Sequence, residues 1–442
     1  MLYRLHNNIL IIGLLSIGIL AAMAAKKAFC LMSVGTIVAF VTQMALILFY
    51  TREKSVSYSG RSLFWVVLGY SIFIGIIFML LSYYYEGDTF MFNKSDAQFY
   101  YKNSIKAAEI GFWENTKRLT TLFDAEDLGS LMFDSALMAI IPSKYFLNVV
   151  YVLTGALSAV LIFRIAILFM PAEYANLAGL TYGTSSFLIF FHCSFLKESI
   201  FVFLVICAMY FFYKAIVDGK LSSYLFTLLS LILILFFRPA ITALLAIAFL
   251  IYLAISQRGK AISAFFYIAI AVLAPVVIIK IQDIMFNYTR GDMDAIIERG
   301  QAYDYSSSFS YFVSWFAAPF GPFPSLFPKE PGQPVTLNFY GAGLTYRLFL
   351  IFPMWMGIWY AIKERCTKMI PLYAFIIIGM LATGYILASL ELRKVMTHIP
   401  FTYIFIFYGL YQWEKRECKP KIEPMIHFFT IGVLVLWTII RG

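Results

Sequence analysis

Asp96 stands in the stretch Lys94-Ser95-Asp96-Ala97-Gln98-Phe99-Tyr100-Tyr101. Ser95 and Gln98 match the S-x-x-Q capping box, so the spacing predicts a helix from here to about Ile110. Asp96 then falls in the first turn, and Tyr100, Asn103 and Ala107 share its face. The positive end of a helix favours the ionised carboxylate. Such a group can accept a proton from a hydroxyl or help to hold a divalent cation; its plainer role is to stabilise the helix start. The other candidates are basic residues and their acidic neighbours at the ends of apolar runs. Lys197 and Glu198 open the run 196–217, Arg238 precedes Pro239, and Glu391, Arg393 and Lys394 lie between two late runs. Arg290 and Arg299 stand in a long intervening stretch. Guanidinium groups offer paired N–H donors to phosphate oxygens. The plainer role of these cations is to snorkel from helix ends to the headgroups, the reading that also suits Arg164, and for Arg290 and Arg299 to be solvated or salt-bridged.

The elements that must position these groups follow from composition. Of the 442 residues, 62% are hydrophobic and only 13% are Asp, Glu, Lys or Arg, about half the share usual in soluble domains. A soluble fold of this length needs more charge to cover its surface, which excludes a cytosolic enzyme, a disulfide scaffold and a disordered chain. The remaining class is an all-α polytopic membrane protein. Aromatic residues make up 19% of the chain, as expected of interfacial belts. Apolar runs number about thirteen: 8–25, 28–50, 62–84, 146–170, 173–192, 196–217, 222–237, 239–256, 261–282, 346–362, 369–388, 397–413 and 424–440. With the N-terminus inside, short inner segments carry 16 basic residues against 7 in short outer ones, the asymmetry of the positive-inside rule. The same map puts 17 of the 24 acids outside. Two long loops, 85–145 and 283–345, then face outward and carry interfacial helices, one of them over 128–141. The chain divides into an N-terminal hairpin (1–60), a core of spans with the first loop (61–282), the second loop (283–345) and the C-terminal spans (346–442). The net charge of +10 belongs to loops that set topology and meet anionic lipid, not to nucleic acid. No P-loop or dinucleotide fingerprint is present, and the five cysteines have no metal or disulfide spacing.

An Asp-Ala-x-x-Tyr element opening an interfacial helix in the first large outer loop resembles the GT-C superfamily of membrane glycosyltransferases. Phe195-Leu196-Lys197-Glu198-Ser199 is similar to a Lys-Glu or Lys-Asp at an outer helix start in bacterial members. Arg238-Pro239 and Arg393…Pro400 are similar to basic residues followed by proline at later outer helix starts. The chain departs from that pattern in having three spans, not one, before the Asp loop. The resemblance implies transfer of a sugar from a polyprenyl-(di)phosphate carrier to a glycan or lipid acceptor, outside a bacterial inner membrane, in surface polysaccharide or glycolipid assembly. It makes Asp96 the catalytic carboxylate. Tyr100, Lys197, Glu198, Arg238, Arg393, Lys394, Arg290 and Arg299 become the substrate-binding candidates. The leaving phosphate is already an anion, so a base for the acceptor hydroxyl and cations for the phosphate suffice.

A divalent cation, Mg or Mn, is the one cofactor left open, with Asp96 and Glu198 as its ligands if one is bound. Expected partners are membrane lipids, the lipid-linked sugar and the glycan or glycolipid acceptor. Two rivals share the composition. A repeat-unit polymerase for O-antigen or capsule would rely on Arg290 or Arg299 more than on Asp96. A lipid-linked oligosaccharide flippase or other transporter would show repeated halves and charge at mid-span.

Overall fold

The computed structural model describes residues 31–52, 59–87, 89, 94–123, 125–256, 350–386 and 395–416. The apolar runs 8–25, 261–282 and 424–440, the loop 283–345, and Arg290, Arg299, Glu391, Arg393 and Lys394 lie outside the described residues. The described residues form helices and turns, with no strand among them.

The first two helices are α1 (Leu31–Arg52) and α2 (Gly60–Glu86). Ser59 caps α2 by accepting a hydrogen bond from the Ser62 amide at 3.2 Å, and Gly87, at φ 67°, ends it. Four shorter helices follow: α3 (Lys94–Ser104), α4 (Ala107–Ile110), α5 (Phe112–Leu122) and α6 (Ala125–Ile140). The helix expected to run unbroken from Asp96 to Ile110 turns at residues 105–106, between α3 and α4. Its first described residue is Lys94, and the side chains of Ser95 and Asp96 lie outside the described ones.

Next come α7 (Lys144–Ala166), α8 (Ala172–Gly183), α9 (Ser186–Cys193), α10 (Glu198–Asp218), α11 (Leu221–Leu235) and α12 (Pro239–Ser256). The last described helices are α13 (Ile351–Lys363), α14 (Ile370–Ile386) and α15 (Ile399–Lys415). Four of these helices (α2, α7, α10 and α12) are long and apolar enough to cross a membrane. Helix α2 exposes Trp65, Phe73, Leu80 and Tyr84, a surface that lipid accepts more readily than water does.

The run 173–192, expected as one span, is two helices. The hydroxyls of Thr184 and Ser185 donate to the carbonyls of Leu180 and Thr181, each at 2.7 Å, where the helix breaks. Every residue from Tyr174 to Cys193 is buried. A segment buried on all faces belongs at the centre of a bundle, and here α7, α2 and α15 enclose it. Helices α13 and α15 touch through backbone. A Cβ built on Gly409 would lie 2.0 Å from the Pro353 carbonyl oxygen, and one on Gly357 would lie 2.1 Å from that of Phe405.

Candidate functional site

Helices α3–α6 gather at the end of the bundle where α7 and α10 begin. Leu119 and Leu131 close over Tyr100, while Ala97, next to Asp96, packs with Met138, Leu147 and Phe195. The Tyr101 and Phe195 rings are 6.1 Å apart. The third residue of α3, Asp96, is therefore carried on backbone that lies against the junction leading into α10. That junction is strained: Phe195 has φ 55°, a conformation that costs a side-chain-bearing residue energy. Two residues later, Lys197 and Glu198 start α10, and both are buried.

Glu198 is 1% exposed and accepts a hydrogen bond from the Arg238 guanidinium at 3.4 Å. Arg238 follows α11, and Pro239, which needs no amide partner in a first helical turn, starts α12. The guanidinium also lies 5.7 Å from the centre of the Phe201 ring, one turn along from Glu198. Phe201 in turn stacks on Phe237. Helix α6 reaches this turn directly, since the Gly129 amide donates to the Phe236 carbonyl at 3.0 Å. A Cβ on Gly129 would meet that oxygen at 2.7 Å, so only glycine permits the approach.

A second acid lies beneath. The Tyr151 hydroxyl donates to Asp134 at 2.6 Å, and Asp134 is 1% exposed. Burial pushes its carboxyl up to about 7, against the opposing effect of the Tyr151 hydrogen bond. Tyr151 is within electrostatic reach of Tyr100 and Glu198 as well. A polar brace ties the loop helices together. Asn115 donates to Ser135 at 2.9 Å, and Arg118 binds the side chains of Asn115 and Asn103 at 3.0–3.3 Å.

The structure thus brings together five of the residues singled out in the sequence. Asp96 on its helix, Tyr100, Lys197, Glu198 and Arg238 all belong to one end of the bundle. Asp134 and Tyr151 were not singled out. The available signal was an aspartate inside Leu-Met-Phe-Asp-Ser-Ala-Leu-Met, since an ionisable group in an apolar helix needs a reason to be there. Among the described residues no three His, Cys, Asp or Glu side chains gather as a metal site. Of the two carboxylates proposed as ligands, Glu198 is engaged by Arg238.

Compared with protein-family models and with curated proteins, the chain matches none. What the site does has to be read from its own residues.

Proposed function

We propose that the chain is a polytopic membrane glycosyltransferase of GT-C type, acting on the outer face of a bacterial inner membrane with its N-terminus in the cytoplasm. It takes a sugar from a polyprenyl-(di)phosphate carrier and gives it to a glycan or lipid acceptor. The observation that supports this reading is the convergence of the Asp96 helix, the Lys197–Glu198 helix start and Arg238 at one end of the bundle.

In this mechanism Asp96 accepts the proton of the acceptor hydroxyl. The hydroxyl oxygen forms a bond to the anomeric carbon, and the bond from that carbon to the phosphate oxygen breaks, its electron pair leaving with the phosphate. Arg238, a quarter exposed and braced by Glu198 and Phe201, turns N–H donors toward the departing anion. Lys197 adds a second positive charge. Tyr100 and Asp134–Tyr151 hold the loop helices at the right height.

The test is incubation of purified protein with lipid-linked sugar donors and candidate acceptors, with products read by mass spectrometry. Asp96→Asn should lower transfer about a hundredfold or more, as expected for loss of a general base, while expression and membrane insertion stay normal. Wild-type turnover by that variant overturns the assignment. A ladder of chain lengths in place of a single added sugar would point to a polymerase instead.

A further inference from the structure

Across the bundle, α7 and α10 end in a cavity of about 250 Å³. Its α10 lining residues, Tyr210 to Asp218, lie 12 to 20 residues beyond Glu198, which places the cavity about 20–30 Å from Glu198 along that helix. Its polar lining is Arg164, in the last turn of α7, with Tyr210, Lys214 and Asp218 of α10. The Tyr210 hydroxyl accepts a hydrogen bond from the Arg164 guanidinium at 3.2 Å, which fixes the cation at the mouth. Arg164 and Lys214 are exposed, so neither charge is spent inside the bundle. Ile167, Leu168 and Val217 stand exposed around the same opening.

The surroundings are basic. Tyr213, another lining residue, donates its hydroxyl to the Lys368 carbonyl at 2.8 Å. This brings the turn bearing Lys363, Arg365 and Lys368, all exposed, to the same end. Two cations over one acid, set in a pocket with an apolar rim at the end of long apolar helices, have the form of a phospholipid headgroup site. A cation that only snorkelled would need neither the pocket nor the Tyr210 contact.

We infer that this cavity binds the headgroup of an anionic phospholipid, with the phosphate held by Arg164 and Lys214 and the acyl chains lying over Ile167, Leu168 and Val217. The site is separate from the one assigned to sugar transfer and does not depend on that assignment.

The full-length protein in detergent is offered equal amounts of dioleoylphosphatidylglycerol and dioleoylphosphatidylcholine, and retained lipid is measured by native mass spectrometry. The wild type should retain phosphatidylglycerol in preference. Lys214→Gln, a change at an exposed side chain, should reduce that preference about fivefold, and Arg164→Gln with it should reduce it about fivefold again. Asp218→Asn should raise it, an outcome that a merely destabilised protein cannot produce. Equal retention of the two lipids by the wild type, or a preference unmoved in these variants, overturns the proposal. Displacement of the lipid by inorganic phosphate at the same concentration does so too, since it would make the pocket a site for free anion.

Discussion

Two Glu–Arg pairs sit at opposite ends of this bundle, and their settings differ. At one end Glu198 is 1% exposed and Arg238 25%. At the other, Glu364 is 34% exposed and Arg416 36%. The second pair is itself half-exposed, although two buried side chains reach it: Tyr408 and Gln412 donate to Glu364, and Arg416 lies 4.4 Å from the centre of the Tyr360 ring. A left-handed residue stands near each pair, Phe195 at φ 55° and Arg365 at φ 51°, so strain does not separate them; the first pair alone shares its end with the buried Asp134 and the residues whose types suit chemistry. A charge pair at a water-accessible helix end costs little and contributes little. A buried one pays heavily in lost hydration, and well-packed apolar residues would often serve stability as well or better. The buried carboxylates are therefore the ones whose presence needs a reason other than holding the fold together.

The largest expected effect comes from the deeper acid. Asp134 titrates near 7 in the fold against 3.8 for an ordinary Asp. The folded protein thus binds its proton more tightly than the unfolded chain does. The resulting stability is fully present below about pH 4 and is lost as pH rises through about 7. Across that window the loss amounts to roughly 4 kcal/mol. Thermal unfolding in detergent from pH 4 to pH 8 should show the wild type losing stability relative to Asp134→Asn. Parallel pH profiles would erase the contrast between the two ends.

Arg238→Ala comes next. It leaves Glu198 buried without its guanidinium, a change expected to cost about 3 kcal/mol. In the proposed mechanism the same guanidinium binds the departing phosphate, so transfer activity should fall with it. Arg238→Lys should recover much of the stability while recovering less of the activity, since an ammonium lacks the forked geometry. Equal recovery of both would reduce Arg238 to a structural role.

Where α13 crosses α15, the two helices are held by close packing of backbone on backbone. Gly409→Ala should cost about 2 kcal/mol through overpacking, because the added methyl meets the Pro353 carbonyl and neither backbone can easily yield. Urea or thermal unfolding of the detergent-solubilised variant would read this directly.

How much of this was legible in the sequence depends on the range of the interaction. The apolar runs gave the helices, because each span is a local property of about twenty consecutive residues. Thus α2, α7, α10 and α12 fall close to their expected limits. The break inside 173–192 was hidden, since Thr184 and Ser185 are compatible with a helix until their hydroxyls take its carbonyls. Lys197, Glu198 and Arg238 were visible as charges at helix ends. Their assembly was not, because it depends on Gly129 letting α6 touch the turn before Arg238. Asp134 was overlooked for a similar reason: its partner, Tyr151, is 17 residues away on the next helix.

The smallest effect should be Glu364→Gln, and its smallness is what gives the comparison meaning. The amide keeps an oxygen that can accept from Tyr408 and Gln412, while the guanidinium of Arg416 keeps its place over Tyr360 and its access to water. Only the charge on one partly exposed partner disappears, so the cost should stay below about 1 kcal/mol and shrink further as salt is raised. Measured beside Arg238→Ala in the same detergent, it sets the scale for an ion pair that merely decorates a helix end. If Glu364→Gln were as damaging as Arg238→Ala, burial would have lost its power to separate the two sites, and the case for chemistry at the Glu198 end would rest on the Asp96 helix alone.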